Sequence, residues 1–312
     1  MTRFTELTGC RVAVQQAPMG SVSTAALAVA VADAGGVGSI GTLGMSAAQV
    51  DKVLGGLALR TRGVLAANFL TAGIDPEAVT AAAAHVRIVD FYWTDPDPAL
   101  VSAAHQGGAL ACWQVGSLAE ARAAVAAGCD VVAVQGIEAG GHIRGSSPLL
   151  PLLSSVLDVV DVPVLAAGGI GDAQAFAAAL AAGADGVRAG TRFVAAAESG
   201  AHPLYRQAVV DASAGATEIS GAFADCPLCA TSPRARVLRS CVLALHGLEG
   251  DTAGSTVAGG REVAVPRGHG TPPGPSATGH VEAMAMYAGE SAALISSVEP
   301  AAAILEAWAA AV

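Results

Sequence analysis

A fold of the α/β class, a TIM (β/α)8 barrel, is what this sequence predicts, and three observations carry it. From Arg11 to about Arg192, short Val/Ile-rich runs alternate with Gly or polar loops and Ala-rich segments. Eight runs are present, at 12–16, 37–40, 63–68, 88–92, 109–114, 131–134, 162–166 and 185–188, and each of the first seven precedes a helix-length stretch. Apolar residues make up 53% of the chain, charged residues 13% and aromatics only 4%, so the core must be Ala, Val and Leu. Strands buried on both faces read as continuous aliphatic runs of this kind, and eight βα units close a barrel more readily than they extend a doubly wound sheet. An open sheet with one or two extra strands is the alternative.

The helix boundaries agree with that rhythm. Ser23 and Thr24 precede an Ala/Val run that ends at Gly35-Gly36, and Asp75-Pro76 opens the helix after the third strand. Ser117, three residues before Glu120, reads as a capping box for a helix closing at Gly128, and Asp172 caps one that stops at Gly183. Such side chains accept hydrogen bonds from the first-turn amides that the helix itself leaves unbonded. After Glu198 the alternation stops. Residues 199–280 hold Pro203, Pro227, Pro233, Pro266, Pro272, Pro273 and Pro275, with helix-like segments near 203–214 and 233–247 and an irregular Gly/Pro-rich stretch over 264–279. Residues 284–312 read as helical again. The expected organisation is a barrel from 1–198 and 281–312, with a small mainly helical lid domain inserted over 199–280 after the eighth strand. That insertion should lie over the C-terminal mouth of the barrel, and the last helix should complete the outer ring.

Composition excludes several functions. Formal charge is −10 with no basic run, which argues against a nucleic-acid partner and leaves any anionic ligand to backbone amides and helix N-termini. The opening Met1-Thr2-Arg3-Phe4-Thr5-Glu6 lacks the apolar core of a signal peptide, and apolar stretches are interrupted before membrane-spanning length. A soluble, cytoplasmic protein is expected. Six cysteines in 312 residues make no disulfide framework; Cys10, Cys112, Cys129 and Cys241 are isolated, small and expected to be buried. Cys226 and Cys229 have CxxC spacing, but no second ligand pair follows, so no metal site is expected.

Chemistry-bearing residues collect at predicted strand ends. Val131-Val132-Ala133-Val134 runs into Gln135-Gly136-Ile137-Glu138-Ala139-Gly140-Gly141-His142-Ile143-Arg144-Gly145. Interleaved glycines bring backbone close to a ligand, and a cluster of polar side chains at the C-terminal end of a strand is the usual form of an α/β active-site loop. His142 is the candidate catalytic group, since an unperturbed imidazole exchanges protons near neutrality. The seventh strand ends in Gly168-Gly169 and the eighth in Gly190-Thr191, where this fold commonly forms a phosphate site. Taken alone, these glycines also suit plain tight turns. Ala17-Pro18-Met19 ends the first strand in a rigid turn with a soft thioether face, although an ordinary turn with a core Met reads the same way. Asn68 and Gln114, at two further strand ends, supply carboxamides that both donate and accept, as the edge of a flavin requires.

These motifs together resemble the FMN-dependent nitronate monooxygenases, formerly called 2-nitropropane dioxygenases. The carriers are Gln16-Ala17-Pro18-Met19-Gly20, Asn68, Gln135 through His142, Ala166-Ala167-Gly168-Gly169-Ile170 and Gly190-Thr191-Arg192-Phe193, and the resemblance is strong over about 10–198 and weak over the last thirty residues. It extends to the FMN-dependent enoyl-acyl-carrier-protein reductases around Glu138 to His142. The resemblance implies FMN contacts at Asn68, Gln135, Gly140-Gly141, Gly169 and Arg188-Ala189-Gly190-Thr191. It sets Ala17, Pro18 and Met19 against the isoalloxazine and the phosphate between Gly168-Gly169 and Gly190-Thr191. His142 matches a histidine near the reactive face of the flavin. At Arg188-Ala189 the chain departs from the family, which commonly shows Gln-Met there. The 199–280 stretch matches poorly.

The function so implied is oxidation of alkyl nitronates with O2 to carbonyl compounds and nitrite. His142 would deprotonate a neutral nitroalkane or, as imidazolium, hold the nitronate. Glu138 is expected to fix the loop through backbone amides, and Arg144 either meets an anionic substrate or faces solvent. An NAD(P)H-dependent FMN reductase of an enoyl thioester or quinone is the second reading, and no GxGxxG dinucleotide fingerprint speaks for it. A flavin-free barrel isomerase of a phosphorylated metabolite is the third. The oligomeric state stays open, with a homodimer allowed.

Overall fold

The barrel rests on a stopper. In the computed structural model, which describes residues 1–70, 73–225 and 234–312, a six-residue helix, α1 (Arg3–Thr8), lies ahead of the first strand. Six residues carry too little periodicity for sequence reading, but Thr2 and Thr5 cap one another reciprocally and start it. Phe4 is fully buried and plugs the N-terminal end of the barrel against Ile88, Cys112, Val131 and Leu165. Arg3 clamps the stopper by bonding both carboxylate oxygens of Asp185, at 2.9 and 2.7 Å.

Strands and helices then alternate as β1 (Val14–Gln16), α2 (Ala25–Asp33), β2 (Val37–Gly41), α3 (Ala47–Ala58), β3 (Val64–Leu70) and α4 (Pro76–Ala83). They continue as β4 (Ile88–Tyr92), α5 (Pro98–Gln106), β5 (Leu110–Val115), α6 (Leu118–Ala126) and β6 (Val131–Gln135). A two-residue strand β7 (Gly141–His142) interrupts the rhythm before α7 (Leu149–Leu157), β8 (Val164–Ala167), α8 (Ala173–Ala181) and β9 (Gly186–Ala189). The eight long strands are parallel, and β9 pairs back onto β1 with Arg188 opposite Gln15, which closes the barrel. Every expected strand is present to within two residues at either end. Thr24, Asp75, Ser117 and Asp172 each accept a first-turn amide as their positions predict. The capping box at Ser117 is only half formed: Glu120 turns away from the cap to bind the Gly116 amide at 2.7 Å and Arg144.

The expectation of a mainly helical 199–280 needs correction. After α9 (Thr191–Val194) come α10 (Pro203–Val210), β10 (Thr217–Ser220), β11 (Ala235–Leu238), α11 (Arg239–Gly247), β12 (Thr252–Ala258), β13 (Arg261–Pro266) and β14 (Thr278–Gly279). Two three-stranded sheets result, β10-β11-β7 and β13-β12-β14, all antiparallel. The signal for the hairpin is in the chain, because β-branched residues flank Gly259-Gly260, a dipeptide suited to a tight hairpin turn. It is masked by the surrounding density of Gly and Pro. The helix expected over 233–247 begins only at Arg239, because residues 235–238 are taken up as a strand between two partners. Cys226 and Cys229, with Pro227 and Pro233, lie outside the described residues. Over 284–312 the chain is α-helical only at α12 (Ala301–Ala309), whose Trp308 stacks on Phe176 of α8 at 5.6 Å. That helix packs between α2 and α8 and completes the outer ring. Among the described residues, no helix is long and apolar enough to cross a membrane.

Candidate active site

The C-terminal ends of the barrel strands open into one cavity of about 400 Å³. Ala17, Pro18, Met19, Asn68, Gln114, Gln135, Gly140, Gly141, His142, Gly168, Gly169, Arg188, Ala189, Gly190 and Thr191 all line it, so the residues expected to act on substrate or contact the cofactor are brought to one place, while Glu138 and Arg144 are not part of the lining. The insertion supplies Tyr205 and the 269–272 segment, and the chain just after it Tyr287, as a wall whose residues sequence reading missed. No spacing rule links these to the barrel loops. A roof of this kind comes from tertiary docking and leaves no local pattern.

Each loop is fixed by identifiable bonds. Ser23 Oγ accepts from the Met19 amide at 2.8 Å and from Gln16 Nε2 at 2.8 Å, which holds the Ala17-Pro18-Met19 turn against the barrel. Gly168 and Gly169 have φ of 113° and 72°, backbone that side chains rarely adopt, so the end of β8 can fold back over the barrel. Gly140 approaches the lid so closely that an added Cβ would come within 2.5 Å of the Gly289 nitrogen. By contrast, a Cβ on Gly141 would meet nothing within 4 Å, and one on Gly190 nothing nearer than 3.5 Å. Bare backbone at these two positions therefore keeps cavity space open for a ligand.

The floor carries a buried ion pair. Arg188 and Asp90 are almost wholly buried and bond directly, with Gln15 Nε2 donating to Asp90 at 2.5 Å. Arg188 Nη1 donates to Gln114 Oε1 at 3.0 Å. Burial alone would depress the guanidinium pKa, but Asp90 and Cys112 together more than offset it, and Arg188 stays charged. Gln114 in turn hydrogen bonds the Tyr92 phenol. The Tyr92 hydroxyl sits 2.7 Å from Gln135 Oε1 and 2.9 Å from the His142 carbonyl. Gln135 Nε2 also donates to that carbonyl, at 3.0 Å, and Gln135 Oε1 accepts the Arg144 amide at 3.3 Å. Thus both ends of the Gln135 carboxamide fix the His142 loop.

His142 sits between aromatic rings, with Trp93 at 5.5 Å and Tyr287 at 5.6 Å. Its strand partner is Ala235 of β11. Burial pushes its pKa from 6.5 down to about 4. The ring is therefore a neutral base at pH 7, and burial disfavours the imidazolium form that would hold an anion. Glu138 does what its position suggests and fixes the loop. Both of its oxygens accept the Leu149 amide, at 3.0 and 3.1 Å, which caps α7 from outside because Pro148 has no side chain to do so. Arg144 pairs with Glu120 and Asp95 rather than meeting the cavity.

Comparison with known proteins agrees with this architecture. The family model described as nitronate monooxygenase matches residues 66–309. A nitronate monooxygenase of Pseudomonas aeruginosa is 35% identical over 70% of this chain and 76% of its own length. A Rhodococcus jostii protein named (3aS,4S,5R,7aS)-5-hydroxy-7a-methyl-1-oxo-octahydro-1H-indene-4-carboxyl-CoA dehydrogenase is 35% identical over 64% of this chain, a stretch that spans only 56% of that relative. Among solved structures, a nitroalkane oxidase of Streptomyces ansochromogenes superposes with a TM-score of 0.77 at 28% identity, covering 99% of this chain and 97% of that one. Matched over most of its length by the family model, and 35% identical to a nitronate monooxygenase across three quarters of that relative, the chain belongs to the nitronate monooxygenase family.

Proposed function

We propose that this protein is an FMN-dependent oxidoreductase that oxidises alkyl nitronates with O2 to carbonyl compounds and nitrite. The observation that carries the reading is a neutral, half-buried His142 at a cavity lined mostly by glycine backbone, carboxamides and apolar side chains, with Arg188 and His269 also in its wall. The lining suits FMN. Glycines at 141 and 190 leave room that a Cβ would fill, and Asn68 and Gln114 offer carboxamides to a ring edge. Gly168-Gly169 and Gly190-Thr191 would hold the phosphate through backbone amides, while Ala17, Pro18 and Met19 would support the ring. Bound FMN supplies the electron transfer between substrate and oxygen.

The chain's own residues position the substrate and move its proton. A neutral nitroalkane gives up its α-proton to neutral His142, and the apolar wall of Tyr205 and Tyr287 limits access of water. Overall, two nitronates and one O2 give two carbonyl compounds and two nitrite ions, one oxygen atom going to each carbon that releases nitrite. The test is flavin absorbance under anaerobic conditions on adding ethyl nitronate and, separately, NADPH. Bleaching by the nitronate alone supports the proposal. The dehydrogenase name of the Rhodococcus relative favours one second reading, hydride exchange between the flavin and a thioester substrate. Bleaching by NADPH alone would establish that reading instead. A colourless protein that takes up no FMN would end both.

A further inference from the structure

We propose that Trp93 is a positioning residue for His142: from a left-handed backbone position behind the cavity wall, its indole fixes the orientation of the imidazole. The inference rests on the reading of His142 as the acting group. Trp93 has φ of 71°, and among the described residues no other non-glycine has positive φ. A bulky side chain is strained there, and glycine or asparagine would occupy the position at less cost. The position nevertheless carries the largest side chain available. Its indole is 9% exposed and is not part of the cavity lining. It meets the ring of His142 at 5.5 Å and 74°, a perpendicular aromatic contact.

The segment around it is built as a bracket. Tyr92 reaches the His142 carbonyl, and Asp95 pairs with Arg144, so residues 92–95 grip residues 142–144 at three points. Tyr92 stands perpendicular to Trp93 at 5.3 Å, and Trp113 Nε1 donates to the Thr94 carbonyl at 3.2 Å, which braces the bracket from β5. Tyr287, just after the insertion, leans on the imidazole. Among the described residues, titratable groups stand near His142 on several neighbouring elements. They include Tyr92 on β4, Tyr287, His269 in the cavity wall, Arg144 in the same loop, held by Glu120 and Asp95, and Arg236 on β11, bonded to the Ile137 carbonyl and Glu290.

The experiment compares Trp93→Ala and Trp93→Phe with the parent and with His142→Ala, on nitroethane and on preformed ethyl nitronate. Because only nitroethane needs its proton removed, Trp93→Ala should lose about tenfold to a hundredfold in kcat/KM with nitroethane, and change about twofold or less with the nitronate. Trp93→Phe should recover most of the loss. An equal fall with both substrates, or no fall, overturns the positioning role. The second readout is ring NMR of histidine-labelled, flavin-free protein, with the His142 signal identified by its absence in His142→Ala. That signal should move, and its titration should shift toward the ordinary range, in Trp93→Ala; an unchanged signal also overturns the proposal. If Trp93→Ala does not fold, Trp93→Leu carries both readouts. If His142→Ala keeps nitroethane turnover, the reading of the site fails, and the NMR arm still decides whether Trp93 sets the ring.

Discussion

His142 is kept neutral by burial, and neutrality links its charge to folding. The unfolded chain takes up a proton near pH 6.5, whereas the folded chain refuses one until about pH 4. The stability contributed by the neutral ring is therefore complete above pH 6.5 and is lost as pH falls through this window, on the order of 3 kcal/mol in all. Denaturation midpoints of the flavin-free protein and of His142→Gln, followed from pH 7.5 to pH 4, should show the parent losing stability faster by that amount. A second prediction concerns the floor. Arg188→Gln leaves the Asp90 carboxylate buried without its cation, and should cost about 3–5 kcal/mol of unfolding free energy. Adding Asp90→Asn should return most of that loss, as measured by urea denaturation. This pair shows why the site was only partly legible in the sequence. The strand ends named Asn68, Gln114, Gln135 and His142 as neighbours, because parallel strands deliver their last residues to one rim, whereas Arg188 entered only through the family resemblance. The partner of Arg188 stands 98 residues away on a strand that reads as ordinary core. Trp93 was likewise invisible, since backbone handedness has no signature in composition.

Secondary elements were legible where one physical rule governs them. β1 to β6, β8 and β9 announce themselves as aliphatic runs because both faces are buried, and the helices between them by the side chains that cap them. The cap of α7 was not, since it comes from Glu138, eleven positions upstream, across a loop. The strands of the insertion were obscured for a different reason. β11 exists because β10 and β7 flank it, and a pairing with residues 141–142 cannot be read locally. The contact between Gly140 and Gly289 tests how loop and lid depend on each other. Gly140→Ala must push the two backbones apart, because its Cβ would lie 2.5 Å from the Gly289 nitrogen. The barrel should stay folded, with an unchanged far-UV spectrum, while FMN affinity measured by fluorescence titration falls about tenfold or more.

At the scale of the molecule, the two ends of the barrel are set apart by composition. The N-terminal end is closed by an apolar stopper, and the C-terminal end holds all the residues assigned to chemistry. Phe4→Ala should therefore act on stability alone: about 3–5 kcal/mol lost from a cavity among Ile88, Val131 and Leu165, with the flavin spectrum and turnover at low temperature unchanged. Loss of FMN binding in that variant would show that the ends are coupled. The pairing of β7 with β11 has a further consequence for how the chain matures. A ribosome that has released residue 189 has delivered every barrel strand, yet His142 still lacks its strand partner, Ala235. The ring contact from Tyr287 arrives later still. A nascent chain holding every barrel strand thus still lacks contacts that set its histidine, and competence is conferred from downstream, by the same C-terminal stretch whose last helix completes the ring.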